Sequence, residues 1–446
     1  MFLRLLATAF LASFTFSSSA CAQSQPSPVR NAPALIAGVA KPIRGAPTDY
    51  DALIAAARPA ARILLGESTH GTHEYYRERS RISDRLIREA GVQAIAIEGD
   101  WSAAYRVNLY VRGLGADRNA QQALQDFDGF PQWMWKNVEF RDFVEQLRSY
   151  NLARPVAQRV GLYGMDVYDM HDAADAVVRH LNRVDPAAAK RARAAYRCFD
   201  DPKRDPQNYA AAVSTGRRSC RTNAESVLAL VGKLPAQTDP IQSEERFAAI
   251  RAATSVAASE EYFRILATGA SAWNARDRRM AATIEAIVAH TAGLHGRSGP
   301  VAVWAHNSHT GDARATTMAE RGELSLGQLM KQQHGERAFL VGFYTHSGTV
   351  FAATEWGANG RQFELPAANP QSYSGLFNST GLGSFNLLLG TNPAVDAALD
   401  TPRIEREIGV VYARWAELQN HYSPTRLPRR FDAVVYVDKS RAVQPI

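Results

Sequence analysis

The chain has 446 residues, 46% of them hydrophobic and 21% charged, which excludes a disordered tail or a fibrous protein and supplies enough apolar material for a sizeable core. Its formal net charge of +7 comes from 51 basic and 44 acidic residues, and only seven of the basic ones are Lys. Without a basic stripe on any one element, this mild excess reads as solvated surface and no nucleic-acid partner is expected.

In chain order, Met1–Ala22 reads as a secretory signal peptide: Arg4, then a mostly apolar run from Leu5 to Phe16, then small residues at Ala20 and Ala22. Cleavage is expected before Gln23. Lipidation at Cys21 ranks second, because Ser18 stands where a lipoprotein signal usually carries an aliphatic residue. The run is too short to span a bilayer, and no later segment has about 18 uninterrupted apolar residues. The mature protein is therefore expected to be periplasmic or secreted, without stable membrane insertion. Residues 23–47, rich in Pro, Ala and Ser, read as a linker.

Organised sequence begins near Asp51. Ala61–Leu65 predicts a strand and Gly66–Thr72 a loop. Glu74–Ala90 predicts a helix with Tyr75, Ile82, Leu86 and Ala90 on one side, ended by Gly91, and Val92–Ile97 a second strand. Such a βαβ unit implies parallel pairing. A helix near Glu139–Tyr150 precedes the strand Val160–Tyr163. Val301–Ala305, Ala338–Tyr344 and Ala433–Val437 read as further strands, with a helix around Ser325–Gln333. Between about 171 and 292 the segments Ala187–Tyr196, Glu244–Ala267 and Arg278–Thr291 are helical and no strand pattern intervenes. The expectation is an α/β fold: a mixed, largely parallel central sheet flanked by helices, with a long helical insertion in a domain spanning 48–446. Cys198 and Cys220 remain after signal removal, and an even count in an exported protein favours a disulfide.

Polar residues collect after the strands. Glu67 and His70 follow the first, Glu98 the second, Asp166 the third, and His306 and His309 the fourth. Ligands bind outside the carboxyl ends of parallel strands, so these residues are expected to share one site. Histidine titrates near neutrality and can take a proton from water, a carboxylate can orient it, and a second histidine or an arginine can stabilise an oxyanion. No G-x-S-x-G elbow, phosphate-binding loop or G-x-G-x-x-G follows a strand. The set suits general-base attack of water on a carbonyl. His306 and His309, three residues apart, also leave a metal shared with Glu67 or Glu98 open.

These segments resemble the erythromycin esterase family: Gly66-Glu67-Ser68-Thr69-His70-Gly71 with Glu74 and Arg79 downstream, Ile97-Glu98, and His306-Asn307-x-His309. The resemblance continues in Trp133-x-Trp135, Tyr163-Gly164-Met165-Asp166, Arg279-Met280-Ala281, Leu326-Gly327, Val341-Gly342-Phe343 and Phe431-Asp432-Ala433. It implies a carboxylic ester hydrolase that needs no cofactor and acts on a small-molecule ester or lactone, including macrolide ring opening, with antibiotic resistance by interception in the periplasm as one outcome. By match, His70 is the general base and Glu67 orients it. Arg79, Glu98, His306 and His309 complete the catalytic set, and Glu74 and Asp166 serve substrate binding. His73 is incidental. Glu74 and Arg79, five apart, do not share a helix face cleanly. The competing readings are a metal-dependent hydrolase and a metal- or haem-binding envelope protein using the same His/Glu cluster.

Overall fold

The structure is a computed structural model and describes residues 31–446. The expected signal peptide, and residues 23–30 of the expected linker, lie outside the described residues.

The centre is a nine-stranded sheet in the order β1-β8-β11-β6-β2-β5-β3-β4, with β7 paired to β6. Its strands are β1 (Lys41–Pro42), β2 (Arg62–Leu65), β3 (Ala94–Ile97), β4 (Gly161–Gly164), β5 (Val301–Trp304), β6 (Ala338–Ala352), β7 (Arg361–Leu365), β8 (Phe385–Leu388) and β11 (Ala433–Ser440). The run from β11 to β4 is parallel throughout. β8, β1 and β7 join antiparallel. A separate antiparallel pair is formed by β9 (Arg403–Arg406) and β10 (Tyr422–Thr425).

The parallel core strands are short and buried end to end, because helices cover both faces. Their side chains alternate between two apolar cores. Ile63, Leu65, Ile95, Ile97 and Trp304 face one, together with the helices Asp51–Ala57, His73–Arg85 and Val138–Leu152. Leu64, Ala94, Ala96, Val301 and Val303 face the other. That second core is closed by the helical region between β4 and β5, in which His171–Val184, Pro186–Tyr196, Pro206–Ser214, Arg221–Gly232 and Pro240–Leu266 follow one another. The helix Trp273–His295 then leads back to β5. Cys198 and Cys220 are joined by a disulfide, Cα to Cα 5.7 Å, just ahead of the helix Arg221–Gly232.

The expected helix after β2 forms as His73–Arg85 and runs on as a π-turn through Leu86–Ala90, where Gly91 ends it at φ +72°. One expectation needs correction. From Ala32 onward the stretch expected as linker belongs to the fold: Ala32–Val39 is a helix with Ala32 and Ile36 buried, and Lys41–Pro42 pairs with β8. Its Pro and Ala content misled, since Pro33 sits in the first turn, where a missing N–H costs nothing.

Candidate active site

The strand order explains why distant residues meet. The chain leaves β2, forms β3 and β4, and returns after the helical region to insert β5 between β2 and β3. The carboxyl ends of β2, β5, β3 and β4 therefore lie side by side. Glu67 and His70 follow β2, His306 and His309 follow β5, Glu98 follows β3 and Asp166 follows β4.

The loop after β2 is held by close backbone approach. A Cβ on Gly66 would stand 2.1 Å from Asn307 Oδ1, and one on Gly71 would stand 1.8 Å from the Phe351 carbonyl oxygen. Asn307 fastens the neighbouring loop: its backbone N–H donates to Glu67 O (2.7 Å), and its side chain donates to Phe343 O (3.0 Å).

Within this frame Glu67 is fully buried, and His70 Nδ1–H donates to its Oε1 at 2.9 Å. Glu67 Oε2 lies 2.7 Å from Arg79 Nη2, an ion pair whose angle falls short of a hydrogen bond. The Arg79 side chain is completely buried, with its guanidinium 4.7 Å from the Tyr76 ring and 4.8 Å from the Trp304 ring. Arg79 thus backs Glu67 from inside the core. Glu74 faces elsewhere, accepting from the backbone N–H (2.7 Å) and Nε (2.8 Å) of Arg441. The two residues do occupy different faces of their helix, and the structure does not bring Glu74 to His70. His73 pairs with Glu139 at 2.6 Å.

His306 stands opposite His70, ring centroids 4.9 Å apart. Its Nδ1 accepts from the Ser308 backbone N–H (3.2 Å) and lies 2.8 Å from the Ser308 hydroxyl. With Nδ1 an acceptor, the neutral ring carries its proton on Nε2, which is buried without a partner. Burial, and then the neighbouring His70, push its pKa down to about 4, so the ring is neutral near pH 7. The pair therefore offers complementary nitrogens. His70 Nε2 is left as an acceptor by the donation from Nδ1 to Glu67, and His306 Nε2–H is a donor.

A third layer surrounds Glu98. Its Oε2 accepts from His306 N–H (2.8 Å) and its Oε1 from Arg276 Nη2 (2.8 Å), with His309 Nε2 at 3.3 Å. Burial raises its pKa, but His309 and Arg276 outweigh it and hold the carboxyl well below the usual range. Arg276 also grips Asp166 with two bonds, Nε to Oδ1 at 2.8 Å and Nη2 to Oδ2 at 2.6 Å. Asp277 accepts from His309 Nδ1 at 2.9–3.0 Å, and Trp273 stacks on the His309 ring at 4.4 Å. Burial lowers the His309 pKa, yet Asp277 and Glu98 overcome it and carry it up to about 9. Arg276 Nη1 lies 2.9 Å from the same His309 Nε2 that faces Glu98. The charged ring donates to Glu98 and the neutral ring accepts from Arg276, so loss of the proton re-pairs this nitrogen.

Arg276 and Asp277 are absent from the expected set. They lie just ahead of the helix expected from Arg278, and only Arg278 separates them from the Arg279-Met280-Ala281 segment that carries the resemblance. Among the described residues no group of three or more His, Cys, Asp or Glu side chains converges as a metal site. His309 is sealed by Asp277, Glu98 and Arg276, and His306 Nδ1 by Ser308.

Fold and site define an α/β protein with an acid–base cluster at the carboxyl edge of its sheet, roofed by a helical region. The erythromycin esterase family model matches residues 87–440, and the chain belongs to that family. Three solved structures share the fold. A protein described as a succinoglycan biosynthesis protein has a TM-score of 0.76 at 18% identity, covering 94% of this chain and 100% of that one. A Bacillus cereus protein has a TM-score of 0.77 at 19% identity, covering 93% and 98%. A histidine-to-asparagine mutant of the erythromycin esterase EreC in its open conformation has a TM-score of 0.59 at 16% identity, covering 88% and 94%.

Proposed function

We propose that this protein is an exported hydrolase of a carboxylic ester or lactone, working without a metal through His70 as general base. The carrying observation is the pairing of an acceptor nitrogen on His70 with a donor nitrogen on neutral His306, rings 4.9 Å apart. Water gives its proton to His70 Nε2 as its oxygen bonds to the acyl carbon, and the resulting oxyanion accepts from His306 Nε2–H. Collapse breaks the carbon–alkoxy bond, the alkoxide takes the proton from His70, and a carboxylic acid and an alcohol result. Glu67 stabilises the transient imidazolium. Arg79, Glu98, His309, Arg276 and Asp166 act through others, holding Glu67 and the His306 backbone in place. The catalytic unit is residues 32–446 with the helical insertion at about 171–292, and the Cys198–Cys220 disulfide fits an oxidising compartment.

Macrolide ring opening is one substrate assignment within this class, supported by family membership. The test is turnover of a panel of esters, lactones and macrolides by wild type and His70→Ala, with and without chelator. Chelator-resistant turnover lost in His70→Ala, by about 10²–10⁴-fold for a general base, is the expected result. Turnover abolished by chelator and restored by metal would overturn it.

A further inference from the structure

A second cluster lies between the end of β4 and the helical region. It lines a small, partly open cavity of about 30 Å³, walled by Trp101, by Gly164–Val167 and by residues of the helices Pro240–Leu266 and Trp273–His295. Arg251 reaches into its wall without an acidic partner. Its Nη2 donates to Thr283 Oγ1 (2.6 Å), whose own proton goes to the Arg279 carbonyl (2.9 Å), and its buried Nε has no partner. Among the described residues no carboxylate pairs with Arg251. Burial and the like charge of Arg279 push its pKa down to about 10. Ser255, on the same helix one turn on, also lines the cavity, and its buried hydroxyl is likewise unpartnered. Arg279, partly exposed and bound to Glu261 at 2.6 Å, adds a second guanidinium. The one acid in the lining, Asp166, has both oxygens engaged, by Arg276 and by the Val167 N–H.

A guanidinium with its buried Nε–H unpaired and a hydroxyl without a partner, on two residues that line one small cavity, leave donors without an acceptor, a costly arrangement unless a ligand completes it. The volume sets the size of the group that enters. One water needs about 10–15 Å³ by this measure, so the cavity takes about two oxygen-sized groups, with the rest of a ligand at its open side. We infer that this cavity binds a carboxylate, its two oxygens accepting from Arg251 and the Ser255 hydroxyl with Arg279 adding positive charge. The inference stands apart from the ester-hydrolysis reading, since no group of the His70–His306 pair enters it.

The test titrates sodium acetate into the full-length protein against sodium chloride at equal ionic strength, read by calorimetry and by melting temperature. Wild type is expected to show saturable acetate binding that chloride does not reproduce. Arg251→Met should weaken it roughly 10- to 100-fold, the span expected for a charge-assisted hydrogen bond. Ser255→Ala, the gentler change should Arg251→Met fail to fold, should weaken it about fivefold. His70→Ala should bind as wild type does, which separates this cavity from a product carboxylate held at the His70 site. Acetate behaving as chloride, binding lost in His70→Ala but kept in both cavity variants, or sulfate binding more tightly than acetate would each overturn the assignment.

Discussion

Glu67 carries two obligations at once. One oxygen fixes the His70 ring through Nδ1, and the other neutralises Arg79, a guanidinium with no exposed surface. Glu67→Gln keeps the volume but removes the charge. The imidazolium formed when His70 takes a proton then loses its counter-charge, so kcat should fall about 10²–10⁴-fold with little change in KM. Arg79 is left buried and unpaired, which costs on the order of 3–5 kcal/mol. Replacing Arg79 as well, in Glu67→Gln with Arg79→Met, should restore much of the stability but none of the activity. Paired measurements of kcat and melting temperature separate the two effects, and an unchanged kcat in Glu67→Gln would remove Glu67 from the proposed mechanism. The resemblance names Arg79, but its inward course to Glu67 is hidden from the sequence. Arg79 is five residues from Glu74 and looks like one more arginine on a solvated helix, and only the Tyr76 and Trp304 rings show that it turns inward.

At the level of elements, the βα alternation was legible wherever a short apolar run was bounded by turn residues, as at β2, β3, β5 and the start of β6. The strands β7 to β10 were not. Arg361–Leu365 carries two charged side chains and Arg403–Arg406 three, which breaks the apolar run that marks a strand. The disulfide was legible by counting, and it closes a loop across the helical region. With a sequence separation of 22, loop-closure entropy gives it about 3 kcal/mol. That stabilisation belongs to the helices Pro186–Tyr196 to Arg221–Gly232, while the sheet keeps the first of its cores, which those helices do not enter. In the double variant Cys198→Ser, Cys220→Ser, amide exchange should therefore accelerate over residues 186–232 and stay unchanged in β2 and β5. Equal acceleration in the sheet would show that the two parts unfold as one unit.

At the scale of the whole molecule, the site is the seam between sheet and helical region. Strand order, which no local pattern reveals, brings β5 between β2 and β3, and the helix Trp273–His295 carries Arg276 and Asp277 across the seam to Glu98, Asp166 and His309. The proton on His309 thus contributes to holding the two parts together. Its folded pKa of about 9 lies above the ordinary value of 6.5, so the folded state binds the proton more tightly. The stabilisation is complete below pH 6.5 and is lost as pH rises through 9. Burial also raises Glu405 to about 7 and Asp169 to about 6, and both act in the same direction, but their losses are largely finished by pH 7. Asp100, which burial and then Asp169 raise well above the ordinary carboxylate range, also acts in this direction, so the comparison with a His309 variant between pH 7 and 9 is what isolates His309. Through His309 wild type should lose about 2 kcal/mol across that window, less than the limiting value of about 1.4 kcal/mol for each pH unit because the folded ring is half titrated at pH 9. His309→Gln should begin less stable at pH 7, because Glu98 and Asp277 lose their shared cation, and should then lose about 2 kcal/mol less than wild type up to pH 9. Melting temperatures of the two proteins at half-unit steps make the comparison, and parallel curves would show that His309 is neutral in the folded protein at pH 7. In that case Arg276 Nη1, at 2.9 Å, would be the standing partner of its Nε2, and Arg276 alone would bridge the seam to Glu98.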